Sequence, residues 1–99
     1  MYVVIFRAKV KEVNDEYFKM LERMKELSLQ TYKCLDLVTV VNGDDEMTIS
    51  YWENAEDILK WKQNTEHLSA QELGQECYES YQVQIAEIKR EYKHEAIQV

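Results

Sequence analysis

The chain has 99 residues, of which 45% are hydrophobic and 31% charged, a composition suited to one folded domain and too apolar for a disordered segment. Twelve basic against nineteen acidic residues give a formal net charge of −7, which repels phosphate backbones and anionic bilayers and argues against nucleic acid or a membrane as partner. No apolar run reaches spanning length, and Tyr2 to Phe6 is too short for a signal-peptide core, so the expected compartment is the cytoplasm.

Residues 2–11 alternate with period two, with Tyr2, Val4, Phe6, Ala8 and Val10 on one face. Val3 and Ile5 followed by Arg7, Lys9 and Lys11 take the other face, a pattern that predicts a first strand. Asn14 is then placed as a helix N-cap, followed by two acids at the positive end of the helix dipole. Tyr17, Met20, Leu21, Met24 and Leu27 form an apolar stripe on this helix, which should end near Gln30. Cys34 to Val41 reads as a second strand. Asn42-Gly43 predicts a type I′ hairpin, lengthened by Asp44 and Asp45. The return strand, Glu46 to Glu53, alternates Met47, Ile49 and Tyr51 with Thr48, Ser50 and Trp52.

Asn54 repeats the capping pattern and opens a helix over 55–63 that presents Ile58 and Trp61. Asn64-Thr65-Glu66 predicts a restart, with a further helix running to about Cys77 and carrying His67, Ala70, Gln71 and Gly74 along one side. Gly74 in a helix interior points to close approach of the backbone to the sheet. The last strand, Tyr81 to Tyr92, breaks phase where Ala86 and Ile88 take over from Tyr81, Val83 and Ile85, as at a bulge or where a strand leaves one core for another surface. Residues 1–92 form the domain and 93–99 a tail.

With the two later helices counted as one layer, the order is βαββαβ. The predicted class is α+β, a ferredoxin-like domain with a four-stranded antiparallel sheet and helices on one face. The opposite face needs cover, which a second copy supplies most simply. Cys34 and Cys77 lack metal-finger or CxxC spacing and read as free thiols. His67 and His94 are the only histidines, and nothing stands at ligand spacing from them, so no metal site is expected.

The series Ser50-Tyr51-Trp52, then Trp61, then Glu66-His67, then Tyr78-x-x-Tyr81 resembles the antibiotic biosynthesis monooxygenase (ABM) family over roughly residues 2–92. The resemblance implies a homodimer in which two sheets form an α/β barrel, the last strand often reaching across to the other subunit. Some members oxygenate phenols or quinols with O2 and no cofactor; others degrade haem. The haem branch carries an Asn on the first strand, a Trp on the second helix and a proximal His ten residues later. Here those positions hold Arg7, Trp61 and Gln71, so two of three are missing and haem degradation is disfavoured.

Cofactor-free oxygenation needs an apolar pocket, a group that helps deprotonate the substrate and donors that meet developing negative charge. Under the resemblance His67, Trp61 and Arg7 take the catalytic roles, Arg7 on condition that its side of the strand faces the cavity. Tyr51, Trp52, Gln71, Tyr78 and Tyr81 line the site for a small aromatic ligand. The same residues have a plainer reading: tryptophans as core, His67 as a hydrogen-bonded structural histidine, Tyr78 and Tyr81 at a subunit contact. The alternative function is a non-catalytic small-molecule-binding or stress-related dimer. Haem binding without degradation is a third.

Overall fold

The computed structural model describes the backbone of residues 1–73 and 77–96 and the side chains of residues 1–64 and 77–96. The alternation of the first ten residues becomes β1 (Tyr2–Val10), which pairs antiparallel with β3 (Asp45–Trp52) on one side and β4 (Tyr78–Glu87) on the other. β2 (Asp36–Asn42) pairs antiparallel with β3 and completes a four-stranded sheet of order β2-β3-β1-β4. Two helices, α1 (Asp15–Gln30) and α2 (Ala55–Leu73), give the βαββαβ order of the ferredoxin-like fold. Among the described residues no helix is long and apolar enough to cross a membrane.

Register decides which side of the sheet meets the helices. Tyr2 lies opposite Trp52, Val4 opposite Ser50, Phe6 opposite Thr48 and Ala8 opposite Glu46. Directly opposed residues of an antiparallel pair share a face. That face carries the core: Val4, Leu37 and Trp52 pack with Cys34 and with Ile58 of α2, while Val10 packs with Tyr17 and Met20 of α1. Asn14 caps α1 by accepting the Tyr17 amide at 2.9 Å, with Asp15 and Glu16 in the first turn.

Several boundaries differ from the sequence expectation. α2 runs unbroken through Asn64-Thr65-Glu66. Such residues cost a mid-helix position only about 0.7 kcal/mol each against Ala, so the continuing helix overrides the local capping signal. β2 begins at Asp36 because Cys34 and Leu35 are held in the connection: the Cys34 amide returns to the Ser28 carbonyl and the Leu35 amide to that of Tyr51. Lys33 there takes a left-handed φ of 61°.

β4 begins at Tyr78 and ends at Glu87, short of Tyr92. Its register shift falls between Lys9 and Val10, which pair with Ser80 and Tyr78, so Glu79 is the extra residue and Ala86 stays in regular pairing with Val3. Gly74 lies outside the described residues.

The hairpin turn is Gly43-Asp44, one residue later than expected, because Asn42 pairs with Asp45. Only Gly43 has positive φ, at 61°, where type I′ needs it at both central residues; this is the type II′ pattern. The turn is held from outside by the Val10 amide on the Asp44 carbonyl at 2.8 Å. A Cβ on Gly43 would meet nothing within 4 Å, so backbone strain is the only penalty for adding one. Gly43→Ala should therefore lower stability by about 1 kcal/mol, read as a shifted urea midpoint with an unchanged slope.

Candidate functional site

β3, one of the two central strands, turns its polar residues toward the helices. Glu46, Thr48, Ser50 and Trp52 share the inward face, leaving Met47, Ile49 and Tyr51 on the other. Burying such a row is costly unless each group finds a partner. Here each does. Trp52 Nε1 donates to Ser50 Oγ at 2.8 Å, and Thr48 Oγ1 donates to Glu46 Oε2 at 2.8 Å. That bond uses the Thr48 proton, so Thr39, 2.8 Å away, is the donor to Thr48.

Glu46 itself is only 4% exposed. Its Oε1 accepts two phenols, Tyr17 of α1 at 2.5 Å and Tyr78 of β4 at 2.8 Å. Burial, then the Glu46 hydrogen bond and its charge, pushes the Tyr17 hydroxyl well above the ordinary tyrosine range. Burial followed by the Glu46 charge does the same for Tyr78. The neighbouring Cys77 thiol is raised by burial and by Glu46. The result is a cluster of protonated hydroxyl and thiol groups around one carboxylate, drawn from α1, β2, β3 and the start of β4.

The Tyr78 ring leads from this cluster to an aromatic shelf. It meets Phe6 edge-on at 5.4 Å, and Tyr81 stacks on Phe6 at 5.7 Å with 22° between planes. β4 is an edge strand, and among the described residues the main helix contacts with the sheet are those of α1 with β2 and α2 with β3, α1 reaching β4 through Tyr17 on Tyr78. Tyr81 and Ile85 are consequently 58% and 53% exposed on the inward face beside half-buried Phe6 and Val83. A flat apolar ligand can lie there, bordered by the Tyr78 ring, which meets that of Tyr81 at 6.3 Å.

The tryptophans form a different element. Trp52 is fully buried, its ring 5.3 Å from that of Trp61 at 53°, in contact with the cluster of Val4, Cys34, Leu37 and Ile58. Trp61 Nε1 donates to Ser28 Oγ at 2.5 Å, and that hydroxyl donates to the Met24 carbonyl at 2.7 Å, tying α2 to α1. Trp52 therefore fills the interior and has no surface to offer a ligand; Trp61, half-buried, packs at its edge. The side chains of His67 and Gln71 lie outside the described residues.

Arg7 and Tyr51 are placed on the opposite face of the sheet, since each is one residue out of phase with the inward set. Arg7 lies across from Met47 and Gln82 in an open groove of about 730 Å³ lined also by Val40, Asp45 and Ser80. Tyr51 lies across from Val3 and Asp36. The condition attached to Arg7 is not met, because the sheet stands between it and Trp61. Glu46, Tyr17, Thr48 and Phe6 are the participants that sequence reasoning missed. The available signal was parity: Glu46 is an even number of residues from Trp52 and so shares its buried face.

No family model matches the chain. An uncharacterised protein of Bacillus subtilis (strain 168), YqjZ, is 35% identical over 92 residues, covering 91% of this chain and 81% of YqjZ. SnoaB, a cofactor-independent oxygenase from Streptomyces nogalater, superposes with a TM-score of 0.76 at 7% identity over 94% of this chain and 97% of its own. The chain belongs to the YqjZ family, and its fold is that of the antibiotic biosynthesis monooxygenases. A Deinococcus radiodurans protein assigned to those monooxygenases superposes with a TM-score of 0.72 at 7% identity, covering 97% of this chain and 100% of its own.

The Glu46 cluster has a consequence in alkali. A tyrosine that ionises less readily folded than unfolded holds its proton more tightly in the folded state. Its contribution to stability is complete below the ordinary value of 10.0 and is lost as pH rises above it. Urea midpoints measured against pH should fall above about pH 10, and Tyr78→Phe, lower in stability at neutral pH, should show a shallower fall.

Proposed function

We propose that the chain is a cofactor-independent monooxygenase that acts with O2 on a small hydrophobic phenol or quinol. The observation that carries this reading is the shelf of Phe6, Tyr78 and Tyr81, open on the helix-facing side of the sheet with a buried carboxylate behind it. The fold shared with SnoaB supports it. Phe6 and Tyr81 offer apolar ring faces, which hold a flat substrate by burial and offset stacking. In this reading the Tyr78 hydroxyl, which donates to Glu46, also meets a substrate oxygen.

The substrate supplies the electrons. Oxidation of an anthrone methylene to a carbonyl consumes one O2, leaving one oxygen atom in the product and the other in water, so no external reductant is needed. The protein's share is to orient the substrate, exclude water and help remove a proton, since the anion reduces O2 far more readily than the neutral phenol. His67 remains part of the proposal as the acceptor of a second proton, since turning the methylene into a carbonyl removes two hydrogens from carbon, and Trp61 as an aromatic wall, both on α2 with Gln71. Purified, metal-free protein should consume oxygen with a panel of anthrones and hydroquinones. No uptake with any of them, alongside saturable binding, would favour a small-molecule-binding protein.

The outward face of the sheet supports a homodimer. Val3, Ile5, Ile49 and Tyr51 form its centre, and Val38, Val40 and Met47 are 50%, 60% and 40% exposed beside them. Monomers rarely leave a contiguous apolar area of this kind open, and a two-fold contact lets one patch cover its own copy. Sedimentation should give twice the chain mass of 11.9 kDa. Val40→Lys, exposed in the single chain, should return a folded monomer; a monomeric wild type would contradict the assembly.

A further inference from the structure

We infer that Tyr78 and Glu46 form a proton relay for the substrate hydroxyl, with Tyr78 meeting the substrate and Glu46 receiving the proton through it. The inference rests on the phenol-oxidising reading above and names how that site would take up the proton. Glu46 is nearly sealed from water, yet one of its oxygens is joined by a 2.8 Å hydrogen bond to a phenol whose ring borders the open shelf. A tyrosine hydroxyl has one proton and two acceptor positions, so Tyr78 can accept from a ligand while donating to Glu46.

In the transfer the substrate O–H bond breaks and its proton joins Tyr78 Oη. At the same time the Tyr78 O–H bond breaks and that proton joins Glu46 Oε1. No electrons change hands; the charge moves from the buried carboxylate to the substrate oxygen, which becomes the phenolate that reacts with O2. Tyr17 holds Oε1 from the other side, and Thr48, backed by Thr39, holds Oε2. Among the described residues Cys77 is the other titratable group beside Glu46, and burial, then the Glu46 charge, raises its thiol. Glu46 is thus the acceptor in this group, and Tyr78 is its member nearest the shelf.

The test uses 4-nitrophenol, whose phenolate is coloured and whose nitro group leaves it too poor in electrons to reduce O2 unaided. Bound to the wild-type chain in weakly buffered solution below its own pKa, it should ionise without releasing a proton to the medium. Glu46→Gln and Tyr78→Phe should each lower the ionised-to-neutral ratio of bound probe by about tenfold or more, one pK unit. Tyr78→Phe keeps the ring contacts with Phe6 and Tyr81 and serves if Glu46→Gln does not fold. Thr48→Val removes a donor from the carboxylate and should raise the ionised fraction, the opposite of what general loosening of the site would do. Probe that binds but stays neutral, or that ionises equally in Tyr78→Phe, overturns the relay alone. Probe that does not bind overturns the relay and the phenol site together.

Discussion

Burial of Glu46 is the constraint around which this small domain is arranged. A carboxylate on the inward face of β3 must have its lone pairs met by side chains, and the two phenols that do so come from 29 and 32 residues away. Tyr17 fixes the first turns of α1 over the sheet, and Tyr78 fixes the start of β4, just where Glu79 makes the strand irregular. Thr48 and Thr39 extend the network into β2. A hydrogen bond is worth only about 1 kcal/mol net, but a buried group stripped of its partner costs the full desolvation penalty, so the cluster stands or falls as a unit. Nothing in a packed hydrophobic core requires such a group, and the ring of its neighbour Tyr78 meets those of Phe6 and Tyr81.

The same strand explains why the sheet has two unlike faces. Turning Glu46, Thr48 and Ser50 inward leaves Met47, Ile49 and Tyr51 outward, beside Val3, Ile5 and Val38. The inward side then offers a polar anchor next to aromatic rings, suited to a small ligand. The outward side offers continuous aliphatic area, suited to another sheet. Arg7 and Tyr51 belong to the second setting and Tyr78 and Tyr81 to the first, although Tyr51 adjoins Trp52 and Arg7 adjoins Phe6 in sequence.

Much of the fold was legible in the chain. The alternation of Tyr2 to Val10, the Asn14 cap and the Tyr17–Met20 stripe each express one physical rule without competition, and the structure agrees with them. The elements that moved were those where a local signal met a stronger neighbour. Capping residues at Asn64 yielded to a continuing helix, and the pairing of Asn42 with Asp45 shifted the turn by one residue and changed its type. The site was less legible. Two tryptophans in one stretch draw attention, yet their rings serve mainly to join Ser28, Ser50 and the core. Glu46 sits beside a turn with Asp44 and Asp45, and a charged residue there reads as solvated until its parity with Trp52 is counted.

The central claim is that a small phenol is received on the inward face, at Phe6, Tyr78 and Tyr81. Chemical-shift mapping of the labelled protein during titration with a non-oxidisable phenol tests it directly. Shifts concentrated on the rings of Phe6, Tyr78 and Tyr81 are the predicted result. Shifts confined to Arg7, Val40 and Met47, on the other face, would contradict it.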